Sequence, residues 1–328
     1  MEVLQIMVNS GARLHLGFYN LLTDELAYGS LGVGIEYPTT VVYVKPSSSL
    51  KVVNESGIYV EDVVSEVLDK LDKPNVEIRI TKAVPRHVGL GSTTQLTLSL
   101  AYGLSKLLKL RYSIKELAVL FRRGHISGIG IAVFKSGGFI VDSGRVVKDG
   151  VVSEPRRVSD LPQVVFRKSL PRSWYFIVFV PEGIKGLGER EERKYLEAPH
   201  EPPKDLQNEL RKLLLTYLIP SVIRRDIEVF GKSITRIQEL VGKYFSRYQG
   251  GIYCCKETEL AVKQFLKHGA YGAGQSSWGP VAYGITEGLR RAQRILEKVG
   301  KEMKRKGIKA KYYLVSARNR GALVEIHS

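Results

Sequence analysis

Apolar residues recur at Leu96, Leu100, Leu104, Leu107 and Leu108, a spacing of three and four that predicts a helix with one face in a core. Ahead of it, alternation over Val76 to Thr81 predicts a strand. The connection, PRHVGLGSTTQ at 85–95, is a glycine-bearing turn. Ser92, Thr93 and Thr94 stand there at helix N-cap positions. Elsewhere the same reading predicts strands over 2–8 and 12–19 joined through Asn9-Ser10-Gly11, a flexible loop over Gly29 to Gly34, and a strand over Thr39 to Lys45. A helix follows over 60–71. Ser113-Ile-Lys-Glu116 is a capping box, and a Gly137-Gly138 turn leads into a strand over Phe139 to Asp142.

Polar, proline-containing text over 145–172 marks the expected domain boundary, dividing the chain into 1–165 and 166–328. Beyond it come a buried strand at Trp174 to Val180 and a charged loop from Glu182 to Lys204. Helices are expected near 205–218, 221–245 and 257–268, then a glycine-rich segment from Gly269 to Gly284. A basic helix over 287–305 and a strand over 311–316 close the pattern.

Composition narrows the class. With 328 residues, 44% of them hydrophobic, the chain can build a sizeable mixed α and β core. No apolar run is long enough to span a membrane, and the N-terminus lacks the pattern of a secretory signal. Cys254 and Cys255 are adjacent, which gives neither metal-ligand spacing nor a disulfide framework. A reducing cytoplasm is the expected compartment. The net charge of +17 calls for an anionic partner or simply for solubility.

The turn at 85–95 has a chemical reading. Glycine at 89 and 91 allows a path that side chains block, and the first turn of the helix presents free N–H groups and a positive dipole end to an anion. An ordinary capped helix after a tight turn fits the local pattern equally well. Two further glycine-bearing segments, NSGARLHLGF at 9–18 and GAYGAGQSSWGP at 269–280, change the balance. In this order the three resemble the GHMP superfamily of galactokinase, homoserine, mevalonate and phosphomevalonate kinases. HVGLGSTTQL, RRGHISGIGIAVFKSGGFIVDSG at 122–144, AGQSSWGP at 273–280 and DIEVFGKSITRIQEL at 226–240 are similar to the archaeal β-ribofuranosylaminobenzene 5′-phosphate synthases.

That resemblance implies an α+β, two-domain fold, with a ribosomal-protein-like N-terminal domain and a ferredoxin-like C-terminal domain. It implies transfer from phosphoribosyl pyrophosphate to 4-aminobenzoate or 4-hydroxybenzoate, releasing carbon dioxide and pyrophosphate, in methanopterin-type coenzyme synthesis. Mg²⁺ is the implied cofactor; Asp142, at the end of a strand, is its candidate ligand or equally a turn cap. Phosphate contacts are implied at Gly89, Leu90, Gly91, Ser92, Thr93 and Thr94, and at Gly272, Gly274, Ser276 and Ser277 in the second loop. Arg13 and His15 share a strand face and, with His87, are the implied catalytic set. Homodimers are common among such relatives.

Many GHMP kinases carry an Asp in an SGxD segment, where a carboxylate handles the proton of the attacking hydroxyl. Here Ser127-Gly128-Ile129-Gly130 has glycine in that place. An ATP-dependent small-molecule kinase is therefore the second reading. A nucleic-acid-binding protein is the third, since no aromatic-plus-basic stripe stands out. The synthase pattern also carries an Asp and an Arg at positions aligned with Asn20 and Tyr28, charges this chain lacks.

Overall fold

The structure, a computed structural model, describes residues 4–186 and 194–327. Its backbone is a long antiparallel pair, β1 (Gln5–Thr23) and β2 (Leu26–Pro46), joined by a two-residue turn in which Asp24 adopts φ 50°. Such a turn suits a left-handed Asp and matches the twist of its strands. The turn expected at Asn9–Gly11 is absent. β1 runs through it and absorbs the irregularity in bulges after Gly11 and His15. Gly29 to Gly34, expected as a loop, is the middle of β2. A Cβ on Gly32 would lie 2.2 Å from Cγ2 of Ile129, so the glycine lets a helix rest directly on the sheet rather than loosening it.

Around this pair stands an eight-stranded sheet. Its main order runs from β12 (Leu323–His327) through β1 and β2 to β4 (Val76–Lys82) and β3 (Lys51–Asn54). β5 (Phe139–Asp142) and β6 (Arg145–Val146) also pair with β2, and β7 (Val164–Lys168) pairs with β5. Helices α1 (Glu61–Lys70), α2 (Ser92–Leu107) and α3 (Ile114–Leu120) bury their apolar stripes against it. α4 (Ile129–Ser136) lies over β1 and β2. The capping box predicted at Ser113 forms with both of its hydrogen bonds.

The second sheet is antiparallel in the order β11 (Ala310–Ser316), β8 (Trp174–Pro181), β10 (Ala282–Glu287), β9 (Gly272–Gln275), which is the ferredoxin-like order. α5 (Lys204–Lys212), a π-helical stretch at Leu213–Leu218 and α6 (Ile219–Arg224) form one nearly continuous rod. The helix break expected at Pro220 falls instead at Arg225, in the left-handed region, where Asp226 caps α7 (Ile227–Gln249). Pro220 directly follows the π-helical stretch, a local change of hydrogen-bond pattern by which a helix takes up a missing N–H. α8 (Lys256–Lys267) and α9 (Leu289–Arg305) cover the sheet's other face. Part of the charged loop, residues 187–193, lies outside the described residues.

The expected division at 165/166 falls within β7, and β12, which the sequence pattern did not suggest, returns to pair with β1. One apolar core joins both sheets, with Leu14, Leu16 and Phe18 of β1 buried alongside Trp174, Phe176, Phe230 and Ile237. No helix among the described residues is long and apolar enough to cross a membrane.

Candidate active site

Where β1, the start of α2 and the β9–β10 loop converge, two small cavities meet. The first, of about 110 Å³, is lined by Arg13, His87, Gly89, Gly91, Ser92, Thr93, Thr94, Arg123, Ser277 and Gly279. Gly91 occupies the N-cap of α2 in the left-handed conformation (φ 74°) and no side chain caps the helix. Ser92, Thr93 and Thr94, expected as caps, instead begin the first turn. Helix geometry leaves their N–H groups without partners inside the helix, facing a cavity bordered by two guanidinium groups. Such an arrangement can seat an anion, and this cavity is the candidate anion seat.

The seat is held by backbone packed on backbone. Arg13 crosses Gly91 and donates from Nη1 to the Gly89 carbonyl at 2.7 Å. Ser276 Oγ also donates to Gly89 O, at 2.6 Å, and accepts from the His15 N–H. A Cβ on Gly89 would lie 2.2 Å from Ser276 O, and one on Gly279 would lie 2.2 Å from the Val88 carbonyl carbon. The two glycine loops are therefore interlocked.

The second cavity, of about 160 Å³, lies alongside and shares Arg13, Thr94 and Ser277 with the first. Its apolar walls include Phe18, Phe245 and Trp278, and its polar groups include Gln238, Gln249, Gln275 and His125. Gln275 accepts from the Cys254 N–H and donates to the Ser277 carbonyl. That bond holds Ser277 in its left-handed conformation (φ 58°) at the junction of the cavities.

Of the expected catalytic set, Arg13 and His15 line the chamber together. Burial, reinforced by the Arg13 charge, pushes the His15 imidazole down to about 3, so the ring is neutral at neutral pH. Its Nδ1 accepts from Gly17 N–H, which leaves the ring proton on Nε2. His87 stands exposed at the rim of the anion seat, apart from the apolar chamber.

Leu90, expected to contribute its backbone, buries its side chain, and its carbonyl accepts from Arg13 N–H, so it braces the turn. Other placements differ from expectation. Gly272 and Gly274 line neither cavity. They lie in β9, where a Cβ on Gly272 would meet the Gly231 backbone at 2.2 Å and one on Gly274 would meet the Gln238 side chain at 2.5 Å; both serve the close packing of α7. Ser276 is wholly buried as the tie between loops. Asn20 bridges the β1–β2 hairpin to Leu26 O and Thr23, and Tyr28 is buried beneath Phe18. Neither borders the two cavities.

Asp142 is not placed to hold a metal. It is completely buried, accepts from the N–H groups of Ser30, Gly128 and Gly144, and meets the Ser127 hydroxyl. Burial pushes its carboxyl up to about 6 against those hydrogen bonds. Among the described residues no carboxylate lines either cavity, and no cluster of His, Cys, Asp and Glu could hold a metal ion. The donor set in hand does not fit a protein-held Mg²⁺.

Sequence reading missed Arg123, Gln238, Phe245 and Trp278. Gln238, Val241, Gly242, Phe245 and Gln249 form one stripe of α7 facing the chamber, a spacing indistinguishable from ordinary core packing.

The chain matches the GHMP kinases N-terminal domain family over residues 58–138 and the GHMP kinases C-terminal family over 218–305. It is 30% identical over 300 residues to a β-ribofuranosylphenol 5′-phosphate synthase of Methanothermobacter thermautotrophicus, covering 87% of this chain and 90% of that protein. The chain belongs to this GHMP family of synthases. A synthase of the same name from Archaeoglobus fulgidus is 30% identical, covering 91% of this chain and 92% of that one. The protein is accordingly an enzyme of the transferase class. Homoserine kinase from Cytophaga hutchinsonii superposes with a TM-score of 0.68 at 18% identity, covering 98% of this chain and 97% of that one. Mevalonate diphosphate decarboxylase from Staphylococcus aureus gives 0.63 at 15%, covering 99% and 98%. These two share the two-domain α+β fold.

Proposed function

We propose that the enzyme transfers a ribosyl 5-phosphate group from phosphoribosyl pyrophosphate to 4-hydroxybenzoate or 4-aminobenzoate, releasing pyrophosphate and carbon dioxide, within methanopterin-type coenzyme synthesis. The observation that carries the reading is the pairing of an arginine-bordered anion seat with an aromatic-walled chamber through the shared residues Arg13, Thr94 and Ser277. The kinship with β-ribofuranosylphenol 5′-phosphate synthases supports it.

In this reaction the bond from ribosyl C1 to the pyrophosphate oxygen breaks. The ring carbon bearing the carboxylate bonds to C1, and departure of carbon dioxide returns its bonding pair to the ring. The N–H groups opening α2, with Arg13 and Arg123, would receive the charge that collects on pyrophosphate, while Phe18, Phe245 and Trp278 would hold the acceptor ring against C1. No hydroxyl need be deprotonated, in keeping with Gly130. A Cβ there would lie 3.2 Å from Thr94 Cγ2, and the Gly130 carbonyl accepts from Gln95.

The test is an assay of purified protein with phosphoribosyl pyrophosphate and carboxyl-labelled 4-hydroxybenzoate or 4-aminobenzoate. Release of labelled carbon dioxide matched by pyrophosphate is the expected result. Full retention of label, with ADP formed from ATP and an alcohol, would overturn it in favour of a kinase.

A further inference from the structure

A third depression, of about 620 Å³, lies beyond the C-terminal end of α2 and takes no part in the site above. Its cations come from four different segments: Lys106 from α2, Arg111 from the following loop, Lys115 from α3 and Lys135 from α4. They are therefore not the solvated face of one helix. No carboxylate lines the depression. Glu116, the nearest acid in sequence, is committed to the N-cap at Ser113.

Some surface cations elsewhere are paired with a carboxylate one helical turn away, as in Lys232–Glu228, Lys263–Glu259 and Lys301–Glu297. None of these four has an acidic partner among the described residues. Lys115 donates to the neutral amide of Gln163, and the Lys106 ammonium lies 5.1 Å from the centroid of the Tyr102 ring. Tyr102 and Tyr112, with Leu110 and Ile114, supply the apolar lining, and Tyr112 is 42% exposed.

We propose that this depression is a second binding site, for a nucleotide: an aromatic base carrying phosphate groups. Cations without a carboxylate partner, drawn from four elements, match a polyanion, and the exposed Tyr112 ring offers a base the stacking that sequence-tolerant nucleotide binders use. The volume lies in the range of ligand pockets. Ser92, at the anion seat, and Lys106 are 14 positions apart on one helix, or about 21 Å at 1.5 Å per residue. The two sites are separate, and this assignment does not depend on the reaction proposed above.

The test is a titration of the full chain with methylanthraniloyl-ATP, read by fluorescence anisotropy, with and without saturating inorganic pyrophosphate. Two binding phases are expected, of which pyrophosphate removes one. Lys106→Glu combined with Arg111→Glu should weaken the pyrophosphate-resistant phase at least about tenfold and leave the pyrophosphate-sensitive phase unchanged. Tyr112→Ala should weaken the resistant phase in a chain with an unaltered melting transition. A single phase abolished by pyrophosphate, or a resistant phase indifferent to these substitutions, would overturn the assignment. So would competition by a single-stranded RNA but not by AMP.

Discussion

The two glycine loops that meet at the site look alike in sequence and do opposite things. In the loop before α2, Gly91 leaves the first-turn N–H groups uncapped and open to a cavity. In the segment at 269–280, Gly272 and Gly279 let backbone touch backbone, and Ser276 consumes its hydroxyl in bonds to Gly89 and His15. The first loop leaves the N–H groups that follow Gly91 open to the cavity; in the second, Ser277 and Gly279 border that cavity while Gly272 and Ser276 are committed to packing. Glycine content alone does not separate a binding loop from a packing loop; the destination of the neighbouring donors does.

The sharpest way to break this contrast is a matched pair of substitutions. Gly272→Val should cost on the order of 3 kcal/mol or more of stability, because its side chain would enter the Gly231 backbone; pyrophosphate affinity of the folded fraction should be unchanged. Gly91→Val should do the reverse. Pyrophosphate affinity should fall at least about a hundredfold, because the new side chain displaces Arg13, whose Cγ lies 2.7 Å from the required Cβ. The left-handed strain adds about 1–2 kcal/mol to the stability cost, less than the clash of backbone on backbone at Gly272. Calorimetric titration and thermal unfolding on both variants read the two effects. Equal affinity losses would show that both loops bind the ligand.

Next in size is Arg123, 7% exposed at the seat. Arg123→Met should weaken pyrophosphate binding by about 1.5–3 kcal/mol, with a matching loss in kcat/KM. An unchanged affinity would leave Arg13 as the principal cation of the seat.

His15 sharpens the comparison through pH. Its folded value, about 3, lies below the ordinary 6.5, so below pH 6.5 the unfolded chain binds the extra proton and stability falls as pH drops. Between pH 6.5 and about 5 this group should remove about 2 kcal/mol. His15→Gln should lose that part of the acid slope in urea unfolding measured across this range; an unaltered slope would place the proton-sensitive group elsewhere. Asp142, raised to about 6, has the opposite sign: its penalty on the folded state disappears as pH falls through 6 toward 3.8.

The smallest effect contrasts two helix starts. Ser113→Ala should cost about 1 kcal/mol, since that hydroxyl caps α3. Ser92→Ala should stay within about 0.5 kcal/mol in thermal unfolding, because α2 begins at Gly91 and takes no side-chain cap.

Much of the frame was legible from periodicity and punctuation: the strand, glycine turn and helix at 76–107, the Ser113 box, and the helices at 256–267 and 289–305. Where the reading failed, tertiary contact decided the conformation. Gly29 to Gly34 reads as loop because glycine has no strand preference, yet Ile129 presses on Gly32 and the long β1 partner holds it extended. Asp142 reads equally as a metal ligand or a turn cap; it caps the turn at Gly144, and its remaining acceptors are filled by N–H groups from distant Ser30 and Gly128. Of the candidate site, the turn before α2 is marked by its glycines, whereas Arg13 and His15 are named by the family resemblance and their shared strand face. Gln238 and Phe245 were not, since a stripe facing a cavity has the same period as one facing a core.

The contact between Gly130 and Thr94 also limits how this protein can change. A proton-accepting side chain at position 130 would be directed at Thr94, whose Cγ2 lies 3.2 Å from the required Cβ. Gly130→Asp alone therefore disturbs the first turn of α2 before it can assist a hydroxyl. A carboxylate at position 130 is accommodated only with a shift of a few tenths of an ångström in the Thr94 side chain, so residues 94 and 130 act as a pair in setting what this corner of the site can hold.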